Sequence, residues 1–264
     1  MKQKYFRNLA PGVNHVVALL FSFLVVSVVL AKNKNQRPNI LFIMSDDHTS
    51  QAWGVYGGIL KDYVKNVNIQ RLANEGCVLE NTFCTNSICT PSRAAILTGQ
   101  YSHMNRVYTL REPLPVDHVN IAGLLKRGGY QTAVIGKWHL VNKPVGFDYY
   151  NVLPGQGVYF DPVLKNAETW EDGYGGGIKH RGFSTNVITD LTIKWLNERD
   201  PQKPFLMLTH LKATHEPFHY PEKYSQLYKN MSLPEPESLY DFSSRTTGRS
   251  FKGQKLDVLG ERML

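Results

Sequence analysis

Short, densely apolar runs alternate along this chain with longer amphipathic segments, and the two periods predict a strand and helix order. Asn39 to Met44 is a continuous apolar run behind Arg37-Pro38, the pattern of a central strand buried on both faces of a sheet. Asn68 to Glu75 places Ile69, Leu72 and Ala73 at helical spacing and is stopped by Gly76. Cys77 to Cys84 reads as a strand. The stretch Cys89-Thr90-Pro91-Ser92-Arg93 and its apolar tail to Gly99 reads as a loop feeding the first turn of a helix, where proline's fixed φ is tolerated. Asn120 to Arg127 presents Ile121, Ala122, Leu124 and Leu125 as a helix face ahead of Gly128-Gly129, and Tyr130 to Ile135 follows as a β-branched, buried strand. Gly146 to Arg181 is rich in glycine and aromatics without a period, and reads as loops over a site. Ser184 to Arg199 is an amphipathic helix with Ser184 as a candidate cap and Val187, Ile188, Leu191, Trp195 and Leu196 along its core face. Pro204 to Leu211 is another buried strand, and Ser232 to Leu264 has no period. The alternation predicts an α/β protein with a mostly parallel central sheet flanked by helices.

Composition adds a compartment to this picture. Lys2, Lys4 and Arg7 precede sixteen uncharged, mostly apolar residues from Val16 to Ala31, ending in a small-residue cleavage pattern at Val29-Leu30-Ala31. The run is short for a membrane span, so residues 1–31 are predicted to be a signal peptide rather than an anchor, with one domain over 32–264 and an exported (periplasmic or secreted) protein. With 42% apolar and 20% charged residues the chain has ample material for a core. The formal charge of +8 falls to +5 without Lys2, Lys4 and Arg7, and no lysine-arginine tract argues for nucleic acid. Of three cysteines, Cys77 and Cys84 remain once Cys89 is reserved for chemistry; they either pair or stay reduced, and a free buried thiol is the commoner case in such a segment.

Chemistry gathers where the predicted strands end. Asp46-Asp47 follow the first strand, and adjacent carboxylates at that position call for a hard cation, Ca²⁺ or Mg²⁺. Cys89 precedes a helix N-terminus whose free N–H groups and dipole favour an anion, with the Arg93 fork one turn on. Lys137 and His139 close the strand after Tyr130, two residues apart and able to reach one anion. His215 follows the last strand, with His210 inside that strand as its competitor.

Two stretches carry a family resemblance. Cys89 to Gly99 resembles the sulfatase signature Cys-x-Pro-Ser-Arg-x-x-x-Leu-Thr-Gly, and Gly129-Tyr130-Gln131-Thr132, three residues, then Gly136-Lys137-Trp138-His139 is similar to the second signature of that family at every defined position. The resemblance runs from about Arg37 to Tyr240. It implies the alkaline-phosphatase-like α/β fold and hydrolysis of a sulfate ester. It also implies that a formylglycine-generating or sulfatase-maturating enzyme converts Cys89 to formylglycine, whose hydrate attacks sulfur and then expels sulfate. By the same resemblance Asp46 and Asp47, with the group derived from Cys89, hold Ca²⁺ (or Mg²⁺), Arg93, Lys137 and His139 stabilise charge, and His215 acts at the ester oxygen. His215-Glu216-Pro217-Phe218 and Pro234-Glu235-Pro236-Glu237 resemble carbohydrate sulfatases, which implies a sulfated sugar or glycan as substrate. The family's second metal pair, an Asp-Asn-Gly or Asp-His-Gly, has no counterpart in this sequence. The chain is therefore expected to match the N-terminal portion of a sulfatase, lacking the C-terminal part, and to be poorly active by itself. A phosphonate or phosphodiester hydrolase of the same superfamily and a non-catalytic binder of sulfated glycan are the alternatives.

Overall fold

Four short apolar segments pair in one parallel sheet, and the order of pairing decides which side chains share an edge. The structure is a computed structural model that describes residues 37–236; the predicted signal segment 1–31 and the tail from residue 237 onward lie outside the described residues. Strand β1 (Ile40–Met44) is followed by helices α1 (Val67–Glu75), α2 (Cys89–Thr98), the one-turn α3 (Ser102–Asn105) and α4 (Ile121–Arg127). Then come β2 (Gln131–Lys137), β3 (Tyr149–Leu153), the small antiparallel pair β4 (Val163–Leu164) and β5 (Ile178–Lys179), α5 (Ser184–Glu198) and β6 (Phe205–His210). The sheet runs β1-β6-β2-β3 with every neighbour parallel, the α/β architecture that the alternation predicts.

Alternation along the two inner strands sorts the core onto two faces. Val134 of β2 and Leu206 and Leu208 of β6 pack with Ala94 and Leu97 of α2 and with Ala122 of α4. Ala133 and Ile135 of β2 and Phe205 and Met207 of β6 pack against Val187 and Ile188 of α5. Each Val, Leu, Ile, Phe or Met side chain among these contributes roughly 1.5–3 kcal/mol on full burial, so the helices are held by the faces they bury more than by intrinsic propensity. Helix α4 is also pinned at its start, where the Asn120 side chain accepts from Gly123 N at 2.9 Å and donates to Val145 O at 3.3 Å.

Several expectations are corrected. Strand β1 sits at the sheet edge among the described residues, with Leu41 46% and Ile43 59% exposed, because α5 covers β2 and β6 but does not reach it. A continuous apolar run carries no mark of whether a strand is central. Cys77 to Cys84 forms no strand: polar Glu80, Asn81 and Thr82 interrupt it, and both thiols are free and exposed rather than buried. Within the stretch predicted as loops, Tyr149–Leu153 is the buried strand β3, paired in register with Ala133 to Lys137. The N-cap position of α5 falls on Phe183, which makes no side-chain cap, and not on Ser184; Ser184 is buried inside the first turn and its hydroxyl has no partner among the described residues.

Register then places the chemistry. Met44, His210 and Gly136 lie side by side, so whatever follows them emerges at one carboxyl edge of the sheet. Pairing continues past β1 and β6: Leu211 N donates to Met44 O at 2.8 Å, Asp46 N to Ala213 O at 3.0 Å and Thr214 N to Asp46 O at 2.8 Å. That short ladder carries His215 alongside Asp47. Gly136, at φ 105°, lets β2 and β6 close there, since a Cβ on it would fall 1.9 Å from His210 O.

Candidate active site

Cys89 is the first residue of α2, and Ile88 before it offers no side-chain cap, so the orphan N–H groups of that turn face the Cys89 side. Arg93, one turn on, is buried. Its Nη1 donates to Lys137 O at 2.6 Å and lies 3.3 Å from His210 Nδ1, while Nη2 stands 3.5 Å from Asp46 Oδ1. Arg93 Nε has no partner among the described residues. A planar fork fixed by a carbonyl and a carboxylate leaves its remaining donor for a ligand oxygen.

Lys137 ends β2 with its side chain wholly buried. Its Nζ donates to Asp46 Oδ2 and, at 2.5 Å, to Gln156 Oε1, and it lies 3.7 Å from Cys89 Sγ. Cys89 Sγ is in turn 3.8 Å from Asp46 Oδ1. Burial pushes the Asp46 carboxyl up, but Arg93 and Lys137 outweigh it and hold the group below the ordinary carboxylate value. Burial pushes the Cys89 thiol up; Lys137 opposes this while Asp46 and Asp47 add to it. An unmodified Cys89 is therefore a protonated thiol at neutral pH, the reverse of what a cysteine nucleophile needs.

The histidines divide by role. His210, buried in β6, has Nδ1 3.1 Å from Lys137 O as well as beside Arg93, and burial followed by the Arg93 charge drops it to about 3. It is a neutral prop behind Arg93. His139 stands beyond the end of β2 at φ 51°, so a turn rather than strand alternation aims it. Burial first, then Lys137 and Arg93, lower it to about 4, and its buried Nδ1 is unpartnered among the described residues. His215 faces the cluster from the β6 side, with Nε2 3.7 Å from Asp47 Oδ2 and Nδ1 2.7 Å from Glu216 O.

Ligand atoms of Asp46, Cys89 and His215 lie within 4.8 Å of one another, and the exposed Asp47 carboxylate borders them through His215. A divalent cation fits this donor set in part: two carboxylates at a strand end suit a hard ion, but a full shell needs more oxygens than these residues offer. The resemblance implies Asp46, Asp47 and the group derived from Cys89 in that shell; the structure gathers Asp46 and Cys89, holds Asp47 at the rim and brings His215 beside them.

Sequence reasoning missed three side chains here. Gln156, on the turn after β3, holds Lys137. Tyr159 donates its hydroxyl to His215 O, and burial, then Asp46 and Asp47, push it up to about 12. Lys212 is buried over the Tyr159 ring at 4.8 Å. The signal for Gln156 was present as Pro154-Gly155-Gln156-Gly157 at the end of an apolar run. It was hidden by reading that run as loop.

An α/β protein with two buried cations, a carboxylate and a helix-borne cysteine at one sheet edge is built to hold an oxyanion. The sulfatase family model matches residues 38–247, and the chain belongs to that family. It is 42% identical over 213 residues to an N-acetylglucosamine-6-O-sulfatase of Bacteroides thetaiotaomicron, a match covering 80% of this chain and 36% of the relative. An ulvan-active sulfatase of Formosa agariphila is 28% identical over 82% of this chain and 44% of its own length. A solved structure in complex with its substrate D-glucosamine-2-N,6-O-disulfate superposes with a TM-score of 0.73 at 40% identity, covering 78% of this chain and 40% of that one. The chain thus spans less than half the length of these relatives.

Proposed function

We propose that this polypeptide carries the nucleophile-bearing part of a sulfate-ester hydrolase acting on a 6-O-sulfated amino sugar. The observation that carries the reading is the meeting of buried Arg93 and Lys137 on Asp46, with Lys137 Nζ 3.7 Å from Cys89 Sγ at the mouth of α2. The raised Cys89 thiol supports a converted residue rather than a cysteine nucleophile; the conversion to formylglycine requires a maturation enzyme that supplies the oxidant. Arg93 Nε and the α2 N–H groups would take sulfate oxygens. Lys137, held by Gln156, would turn from Asp46 toward the anion. Neutral His139 would donate to or accept from the bound ester without adding charge, and His215 would stand at the ester oxygen as proton donor. Asp46 and Asp47, with the group derived from Cys89, would hold part of a Ca²⁺ shell, with Mg²⁺ the alternative ion. When bound, such a cation supplies Lewis-acid polarisation of the sulfate oxygens. The amino-sugar substrate is drawn from the names of the relatives at 40–42% identity. Export rests on the basic and apolar N-terminal segment, which suits a glycan-degrading enzyme.

The test is peptide mass spectrometry of the chain expressed with a formylglycine-generating enzyme, joined to release of sulfate from N-acetylglucosamine 6-sulfate with added Ca²⁺. Conversion of Cys89 with turnover is the supporting result. Conversion without turnover places the activity in a longer polypeptide than this one, and no conversion overturns the proposal.

A further inference from the structure

Beside the anion cluster lies a separate cavity of about 140 Å³ that no step above uses. Its walls include Trp138, Trp170 and Tyr174, together with His139 and the turn at Pro154-Gly155. The two indoles are fixed. Trp138 Nε1 donates to Asn142 O at 2.7 Å and Trp170 Nε1 to Asp172 Oδ1 at 3.1 Å, so neither can turn away to suit another neighbour. Trp170 is further gripped between Tyr150, edge-on at 6.1 Å, and the Lys165 ammonium 5.0 Å from its ring centroid.

Lys165 explains how the outer wall stays in place. Its side chain is buried, with no carboxylate on it among the described residues, and its Nζ donates to Glu171 O and, at 2.8 Å, to Gly173 O. The loop that these carbonyls belong to carries Tyr174, 79% exposed, whose phenol lies against Gly155 so closely that a Cβ there would fall 2.6 Å from its oxygen. Gly155 is followed by Gln156, which holds Lys137. One wall of the cavity is therefore tied to the anion cluster through the Gly155-Gln156 backbone, and another is His139, which lies close enough to Lys137 and Arg93 to feel their charges.

From this we infer that the cavity walled by Trp138, Trp170, Tyr174 and His139 is the subsite for a single pyranose ring, the one whose sulfate lies on Arg93 and Lys137. The inference rests on the sulfate-ester reading above and adds to it where the sugar sits and how much of it fits. Rigid aromatic faces with a neutral imidazole at the rim match a ring that is apolar on its C–H faces and hydroxylated at its edge. The volume falls below the ~300–1,000 Å³ of pockets that engulf a drug-sized ligand, which favours one terminal ring over an internal stretch of polymer.

The test is binding, read by tryptophan fluorescence and saturation-transfer NMR on the whole chain with N-acetylglucosamine 6-sulfate, neutral N-acetylglucosamine and inorganic sulfate as separate probes. Tyr174→Ala and Trp170→Ala are each expected to weaken the sulfated sugar about tenfold or more and inorganic sulfate less than about twofold. Tyr174 is surface-exposed, so its variant keeps the wild-type melting temperature and reports on contact alone. Binding of the neutral sugar that weakens in Tyr174→Ala, with no binding of inorganic sulfate, supports the sugar subsite while refuting the sulfate-ester reading. The inference is overturned if both variants bind the sulfated sugar as wild type does, if they lose inorganic sulfate in equal measure, or if neither sugar binds. Equal affinity for an oligosaccharide whose only 6-sulfate is on an internal ring overturns the single-ring assignment.

Discussion

Lys137 shares its ammonium among Asp46, Gln156 and Cys89 in full burial, and without it Asp46 would keep Arg93, at 3.5 Å, as its remaining cation. Breaking one side of a buried ion pair costs about 3–5 kcal/mol. Lys137→Ala is accordingly expected to lower the unfolding free energy by about 3 kcal/mol in a urea titration. Asp46→Asn made in the same chain is expected to recover part of that loss, because the uncompensated carboxylate goes with it; strictly additive losses would show that the two are not coupled. The histidines set a pH dependence. Burial, helped by Arg93, holds His210 at about 3, and burial, helped by Lys137 and Arg93, holds His139 at about 4, whereas the unfolded chain protonates each near ~6.5. Below that value the unfolded state takes protons that the native state refuses, so native stability falls as pH drops from about 6.5 toward 4. His210 alone gives a slope of about 1.4 kcal/mol per pH unit. Asp46 acts in the same direction lower down: its folded value lies below the unfolded ~3.9, so its contribution is present above ~3.9 and is lost as pH falls through the folded value. Melting temperatures recorded from neutral pH into the acid range should decline throughout, and a flat profile would contradict this assignment.

At the scale of elements, the close approach of β2 and β6 depends on Gly136. A methyl group there meets His210 O at 1.9 Å, and the clash falls between Lys137 and the prop behind Arg93. Gly136→Ala is expected to push the two strands apart and to cost more than the ~1 kcal/mol of an ordinary glycine change, with insoluble expression or a melting temperature lowered by many degrees as the readout. Asn120→Ala, by contrast, removes a helix cap and one loop hydrogen bond, and a loss of about 1–2 kcal/mol is expected in the same titration. These positions also show what could be read before any coordinates. Both strands announced themselves as apolar runs and α5 through its period, and Asp46, Lys137 and His215 come together at one edge because β1, β2 and β6 end in register. What stayed hidden was tertiary: β3 because its Tyr-Tyr-Asn-Val-Leu run sits among glycines and aromatics, and the free, exposed Cys77 and Cys84 because nothing local says that a strand-like run lacks a partner. Gln156 and the Tyr174 contact with Gly155 stayed hidden for the same reason, since each depends on a turn meeting a loop far along the chain.

At the scale of the whole molecule, the described sheet is finished on one face and open on part of the other. Parallel sheets bury both faces, and β1 is apolar at every position, yet Leu41 and Ile43 point to a side that α5 does not reach and the outer edge of β1 has no strand beside it among the described residues. Around the corner, Phe42, Phe83, Ile96 and Tyr101 help line an open cleft of about 690 Å³. An apolar edge strand with free N–H and C=O groups is a template for another strand, and apolar surface of this extent draws partners. The chain in isolation is therefore expected to bind a hydrophobic dye in its native state and to associate as its concentration rises, both measurable by dye fluorescence and sedimentation velocity. Charged residues on that face separate this from partial unfolding: Leu41→Lys with Ile43→Lys should lower dye binding and association while leaving the affinity for inorganic sulfate unchanged, because neither side chain belongs to the cluster around Cys89. If association persists in that variant, the β1 face is not its cause, and the cleft lined by Phe83 and Tyr101 becomes the surface responsible.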